Sequence, residues 1–177
     1  FTLIAATTRV NLLSGPLRSR FGAIFKLDYY SSADIEQVIK RSAEILKLDI
    51  SNEAIKLVAQ ASRFTPRVAN RLLKRVRDYA EVHDSKKIGI EEVQKTFQLL
   101  EIDFIGLEPS DRRLVEIIIK KFNGGPVGLN TLAAATAEEL EAIEDVYEPF
   151  LLQEGFIDRT NRGRIATNKA FKHFNKQ

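Results

Sequence analysis

Cysteine, methionine and tryptophan are all missing from the 177 residues. Without cysteine there is no disulfide framework, no Fe–S cluster, no thiolate zinc site and no cysteine nucleophile. Histidine is nearly missing too. His83 and His173 stand far apart among solubilising charges, which argues against a histidine metal site and against a Ser-His-Asp triad. No apolar run approaches the roughly 18–20 residues that a membrane span needs. The N-terminus lacks the basic start, apolar stretch and small-residue cleavage site of a signal peptide. A cytoplasmic protein without a membrane partner is expected. Also missing is any G-x-x-x-x-G-K-[ST], since Gly124-Gly125-Pro126-Val127-Gly128 carries no lysine and follows a helix, and no apolar run ends in Asp-Glu to hold Mg²⁺. The chain is not expected to hydrolyse a nucleotide by itself.

What is present has the balance of an ordinary globular chain, 44% hydrophobic and 29% charged. The net charge of +3 conceals an asymmetry: residues 1–100 hold 17 Lys/Arg against 11 Asp/Glu (+6), and residues 101–177 hold 10 against 13 (−3). Two stretches of different electrostatics suggest two domains. Ahead of them, Phe1-Thr2-Leu3-Ile4-Ala5-Ala6-Thr7-Thr8 has the character of a strand buried on both faces, yet nothing in the next hundred residues offers it a partner. Together with the absence of methionine, this suggests the back part of a larger protein.

Residues 9–30 have the composition of a loop carrying Arg9, Arg18 and Arg20. Ser31, with Asp34 three residues on, caps a first helix whose stripe is Ile35, Val38, Ile39, Ser42, Ile45 and Leu46. Ser51 caps a second helix. Thr65-Pro66 opens a third, running through Val68, Leu72, Leu73, Val76 and Tyr79, and a fourth begins near Glu91. Residues 31–100 thus form a four-helix domain, and 101–109, with Gly106 and Pro109, a linker. From 110 to 177 the rhythm changes: a helix over Asp111–Lys121, a brief helix over Leu132–Ala135 and a longer one over Ala137–Glu154. A hairpin turning at Asn161-Arg162-Gly163 and a closing helix over Asn168–Phe174 follow. Three helices and a two-stranded wing are the order of a winged helix.

Arg67 lies in the opening turn of the third helix, where the macrodipole disfavours a cation and free N–H groups favour phosphate. It is either a phosphate sensor or a surface arginine paired to a carboxylate. Arg18 and Arg20 flank Ser19 in a loop anchored by Phe21-Gly22, which suits an arginine finger or plain solvated charge. Arg71, Lys74, Arg75 and Arg77 form a basic face that is expected to be solvated. The third helix of the second domain carries seven acids and no Lys or Arg over 137–154, so phosphate would repel it from a major groove. Arg159, Arg162 and Arg164 surround the hairpin tip, with 159 and 164 at paired positions. They predict sequence-independent, salt-sensitive backbone contact with DNA, or else a wing that packs against protein.

In order and spacing these segments resemble the C-terminal half of the RuvB family, bacterial AAA+ motors of Holliday junction branch migration. The resemblance rests on Phe1–Arg9, Pro16-Leu17-Arg18-Ser19-Arg20-Phe21-Gly22, Thr65-Pro66-Arg67-Val68-Ala69-Asn70-Arg71-Leu72-Leu73, Arg75–Val82, Gly124–Leu129 and Ile143–Pro149. It implies a mainly α fold: the tail of an α/β AAA+ core in 1–30, a four-helix AAA+ lid in 31–100 and a winged-helix domain in 110–177. The implied roles are Thr8 at the sensor-1 position, Arg20 as arginine finger, Tyr30 against the nucleotide, Arg67 as sensor 2, and Arg159 and Arg164 on DNA. The implied ligands are ATP or ADP, with Mg²⁺ held by a portion absent from this chain. The implied partners are junction and duplex DNA, other copies in a hexameric ring, and RuvA and RuvC.

The sequence departs from the family pattern at Ala5 and Phe64, each in place of glycine, at Asn161 in the wing turn, and at Leu140, where a basic residue is common. Two other functions fit parts of the pattern: a non-enzymatic winged-helix regulator that reads duplex DNA, and another AAA+ ring subunit of the clamp-loader kind. The acidic helix argues against the first, the basic wing against the second.

Overall fold

The computed structural model describes residues 1–7 and 10–174; Thr8 and Arg9 lie outside the described residues. Residues 1–7 take no regular secondary structure and are exposed, with Ile4 at 90%. The buried strand expected there is not formed, because a strand needs a ladder and no neighbouring strand in this chain supplies one. The expected loop that follows contains a 3₁₀ turn, Val10–Leu12, and a short helix α1, Gly15–Ser19, started by Pro16.

Local capping builds the first domain. Ser31 and Asp34 exchange hydrogen bonds at the start of α2 (Ser32–Ile45), the Ser31 hydroxyl accepting from the Asp34 N–H at 3.2 Å and the Asp34 carboxylate from the Ser31 N–H at 3.2 Å. The Ser51 hydroxyl accepts from the Ala54 N–H at 3.2 Å to open α3 (Asn52–Gln60). Thr65 accepts from the Val68 N–H at 3.4 Å to open α4 (Pro66–Val82), with Pro66 in its first turn. At α5 (Ile90–Leu99) the Glu92 carboxylate accepts from the Gly89 N–H at 2.8 Å. These helices close over Ile35, Ile39, Val58, Leu72, Leu73 and Val93. The inward row of α2 is Ile35, Ile39 and Ala43, whereas Ile45 of the expected stripe is 71% exposed.

Residues 101–109, read from sequence as a linker, are packed between the two domains. The Asp103 carboxylate accepts from the N–H groups of Ile105 at 2.9 Å and Leu107 at 2.8 Å, folding the segment into a packed turn with Leu107 fully buried. Gly106 has φ +95°, and a Cβ there would stand 2.4 Å from the Ala61 carbonyl oxygen of the first domain.

The second domain starts with α6 (Pro109–Phe122) and α7 (Leu129–Thr136). The long acidic helix expected from Ala137 begins only at α8 (Leu140–Ala142), because Ala137 takes the left-handed conformation that ends α7. It widens into a π-turn over Ile143–Tyr147 and continues as α9 (Glu148–Gln153). Pro149 lacks an N–H and its ring crowds the carbonyl four residues back, which accounts for the wider turn. Strands β1 (Ile157–Thr160) and β2 (Gly163–Ala166) form the antiparallel wing, with Arg159 opposite Arg164 as expected, and α10 (Asn168–Phe174) closes the chain. Leu114, Ile118, Leu132, Ile143, Leu151 and Phe156 fill this core. No helix among the described residues is long and apolar enough to cross a membrane.

Val127 ties the wing to the helices, donating to the Arg164 carbonyl at 2.9 Å and accepting from the Arg164 N–H at 2.8 Å. That crossing requires glycine at 163, where φ is +135° and a Cβ would lie 2.3 Å from the Val127 carbonyl oxygen. Gly163→Ala is therefore expected to cost about 2–3 kcal/mol of stability, measured by urea unfolding; a change under about 0.5 kcal/mol would show that the wing is not pinned at this point.

Candidate functional site

The chain carries one corner where anion-binding residues meet. The Tyr30 N–H donates to the Phe64 carbonyl at 3.3 Å, which holds residue 30 beside the turn that opens α4. Arg67, in the first turn of α4, is exposed and has no carboxylate partner among the described residues. The alternative of a paired surface arginine is thus not what the structure contains. At this helix start Pro66 carries no N–H and the Val68 N–H is given to Thr65, so what the corner offers an anion is chiefly the exposed Arg67 guanidinium. Arg20 stands apart from this corner: exposed at the end of α1, it is followed by residues 22–29 without regular structure. No contact among the described residues brings it to Tyr30 or Arg67.

On the rest of the α4 basic face Lys74 is exposed, and the three arginines pair with carboxylates while Arg71 and Arg75 stay more than half exposed. Arg71 donates to Glu108 at 2.7 Å, Arg75 lies 3.4 Å from Asp78, and Arg77 donates to Asp78 at 2.6 Å.

At the wing the arginines diverge. Arg164 is 6% exposed and lays its guanidinium against Glu148, itself 2% exposed, with Nε 3.2 Å from both carboxylate oxygens and Nη2 2.8 Å from Oε2. The expectation of a free phosphate contact is corrected here: the fork is committed to a buried carboxylate. Arg159, its ladder partner, is half-exposed, donating to Glu144 at 3.1 Å with Glu148 at 3.9 Å. Arg162 is exposed at the tip, where its N–H donates to the Thr160 hydroxyl at 3.3 Å and that hydroxyl donates to the Gly163 carbonyl at 2.8 Å. The π-turn and the start of α9 supply Glu144 and Glu148, so the acidic helix faces the wing it neutralises.

A further polar cluster lies where the two domains meet, and it was not singled out from sequence. The Arg63 Nε donates to the Gly106 carbonyl at 3.0 Å, its Nη2 donates to the buried Asp111 carboxylate, and the guanidinium stands 4.6 Å from the Phe150 ring centre. Burial pushes the Asp111 carboxyl above its ordinary value, with the charge of Arg63 pulling the other way. His173, expected among solubilising charges, is instead largely buried against Phe156, its Nε2 3.0 Å from Asp103. Both pairs join residues dozens of positions apart, and no local pattern announces them.

Residues 30–103 match the family model of the RuvB AAA lid domain, and residues 104–175 that of the RuvB C-terminal winged helix domain. The chain carries the lid and winged helix of the RuvB family. The Holliday junction branch migration complex subunit RuvB of Koribacter versatilis is 56% identical over 174 residues, which is 98% of this chain and 48% of that protein. The subunit of the same name from Clostridium kluyveri is 53% identical over 176 residues, 99% of this chain and 50% of that protein. The solved Thermotoga maritima RuvB Holliday junction branch migration motor aligns with a TM-score of 0.87 at 48% identity, covering 93% of this chain and 55% of that one. The chain spans about half the length of the curated relatives it matches.

Within this RuvB pair of domains, the described residues bring no three His, Asp or Glu side chains together as a metal site, so they offer Mg²⁺ no cage. For a nucleotide the fit is better, because Arg67 is free to take a phosphate. The wing separates structural from surface arginines. Arg164→Ala strands the Glu148 charge and is expected to cost about 3–5 kcal/mol of stability, while Arg159→Ala, half-exposed, costs about 1 kcal/mol or less. Equal costs in denaturant unfolding would mean that the Glu148 pair does not hold the wing.

Proposed function

We propose that this chain is the lid and DNA-binding part of an ATP-driven motor that moves Holliday junctions in recombination and repair. It would act as a hexameric ring around duplex DNA, in the cytoplasm, with RuvA and RuvC as partner proteins. The observation that carries the nucleotide half is Arg67: an unpaired cation in a helix's first turn is electrostatically unfavourable unless an anion comes to it. Phosphoryl transfer asks the protein mainly for positioning and charge stabilisation. Arg67 would hold the γ-phosphate, Tyr30 would lie against the nucleotide, and Arg20 would reach the nucleotide of the next subunit as its arginine finger. Thr8 is assigned to sensor 1 by the family pattern alone. Mg²⁺ would be held by residues outside this chain.

On the DNA side, Arg159 offers the exposed guanidinium, Arg162 extends from the tip, and Arg164 stands beside them as the anchor to Glu148. Phosphate contacts of this kind position a protein without reading bases. The regulator reading is disfavoured because the helix in the recognition position is acidic, with Glu144 exposed on it and no Lys or Arg over 137–154. A clamp-loader subunit is disfavoured because the last domain ends in a wing.

Arg20→Ala in the full-length protein is expected to lower ATP hydrolysis by about 10³–10⁵ with nucleotide binding kept; wild-type turnover would remove the finger assignment. Arg159→Ala should weaken binding to a four-way junction, a duplex and a single strand alike and reduce the salt slope by about 1. Binding titrations at several salt concentrations measure this, and an unchanged slope would take Arg159 off the phosphate.

A further inference from the structure

The face that α6 turns to solvent has no part in the core and none in the proposed chemistry. Arg112, Arg113, Lys120 and Lys121 line a shallow depression of about 320 Å³ along it, with Ile117 half-buried between them. Lys120 already holds Glu116 at 2.6 Å, whereas Arg112, Arg113 and Lys121 have no carboxylate partner among the described residues. The helix dipole favours Lys120 and Lys121 in the last turn and does nothing for Arg112 and Arg113 near the start. The same domain carries an opposite face. Glu139 and Glu141 are exposed at the start of α8, and among the described residues no cation answers either. Apolar surface lies beside them, Leu140 at 41% and Val146 at 57% exposure. α7 packs against both α6 and α8, and among the described residues no ion pair joins the two faces within one copy.

We propose that the basic face of α6 docks on the acidic face of α8 in a second copy of this chain, so that winged-helix domains join head to tail. Charge complementarity carries this: unanswered cations stand on one face and unanswered glutamates on the other. Each face also has an apolar part, Ile117 on the first and Leu140 with Val146 on the second. Duplex DNA suits α6 less well, because Glu116 and Ile117 in the middle of the face offer phosphate nothing. A contact between two different faces is heterologous; it repeats from copy to copy and closes into a ring when the rotation permits. Between free copies such a charge-rich, solvated contact is weak and sensitive to salt. Held in the ring proposed above, neighbouring copies meet at high effective concentration, which strengthens it. Only the closure rests on that ring; the pairing needs two copies and nothing else.

Sedimentation velocity of this chain tests the docking. The wild type is expected to associate past the dimer, with an affinity that falls about tenfold between roughly 0.01 M and 0.15 M salt. Arg113→Glu with Lys121→Glu makes both faces acidic, and Glu139→Lys with Glu141→Lys makes both basic. Each variant alone should stay monomeric, while the two mixed should associate as the wild type does, because each supplies the face that the other lacks. Glu139→Gln with Glu141→Gln puts no cation at the helix start and should weaken association about threefold, so it reads the acidic face even if circular dichroism finds the lysine variant unfolded. The docking is overturned by a wild type that stays monomeric at both salts, by a glutamine variant that associates unchanged, or by a mixture of folded variants that does no better than its parts. A monomeric wild type whose Arg113→Glu, Lys121→Glu variant loses duplex binding would give the α6 face to DNA instead. ATP hydrolysis by the full-length protein does not enter this measurement, so the docking and the motor reading fail separately.

Discussion

Asp111 has no exposed surface, and a carboxylate taken out of water in the first turn of a helix must be answered by something. Its Oδ2 accepts from the Glu108 N–H at 2.8 Å and from Arg63, while Oδ1 has no partner among the described residues. Burial raises this carboxyl, so the folded state binds a proton more tightly than the unfolded chain, and its own contribution to stability falls as pH rises through that raised value. Arg63 makes the ionised form tolerable. The guanidinium that does so comes from the other domain, and the demand of one buried charge thereby dictates how lid and winged helix meet.

The wing repeats the arrangement. Glu148, at the start of α9, is answered by Arg164 from β2, and Arg159 is drawn toward the same carboxylate. Such pairs add little net stability over apolar packing of equal volume, yet breaking one side is costly. Their worth lies in geometry: a lone carboxylate tolerates one placement of its partner, whereas an apolar contact tolerates many. Lid to α6 and α9 to wing are therefore two joints where orientation is specified by charge.

Much of this architecture was legible in the sequence, and the reason is range. Ser31-Asp34, Ser51 and Thr65-Pro66 act within three residues, so their caps could be placed from spacing alone, as could the hairpin pairing of Arg159 with Arg164. The Tyr30 and Arg67 corner was legible through the family pattern and through the oddity of a cation at a helix start. Arg63 with Asp111 and His173 with Asp103 were not, because each pair joins distant positions and neither partner has a local role. Burial of Arg164 was missed for a related reason: pairing across a turn says that two side chains share a face, and says nothing of what covers it. Residues 1–7 show the converse error, where strand composition was present but, among the described residues, the ladder was not.

If the wing contacts DNA as proposed, the cancellation of charge between α8–α9 and the wing constrains how DNA would be held. Glu144 and Glu148 absorb most of what Arg164 and Arg159 would otherwise offer, leaving an exposed Arg162 and part of Arg159. Counterion release scales with the number of phosphates neutralised, so one wing touching one or two phosphates binds weakly and without regard to sequence. Several wings held around one duplex would bind far more tightly than any one, because each later contact is made at high effective concentration. A motor of the kind proposed would need that division: single wings that release easily, on an assembly that stays on the duplex because its other wings remain in contact.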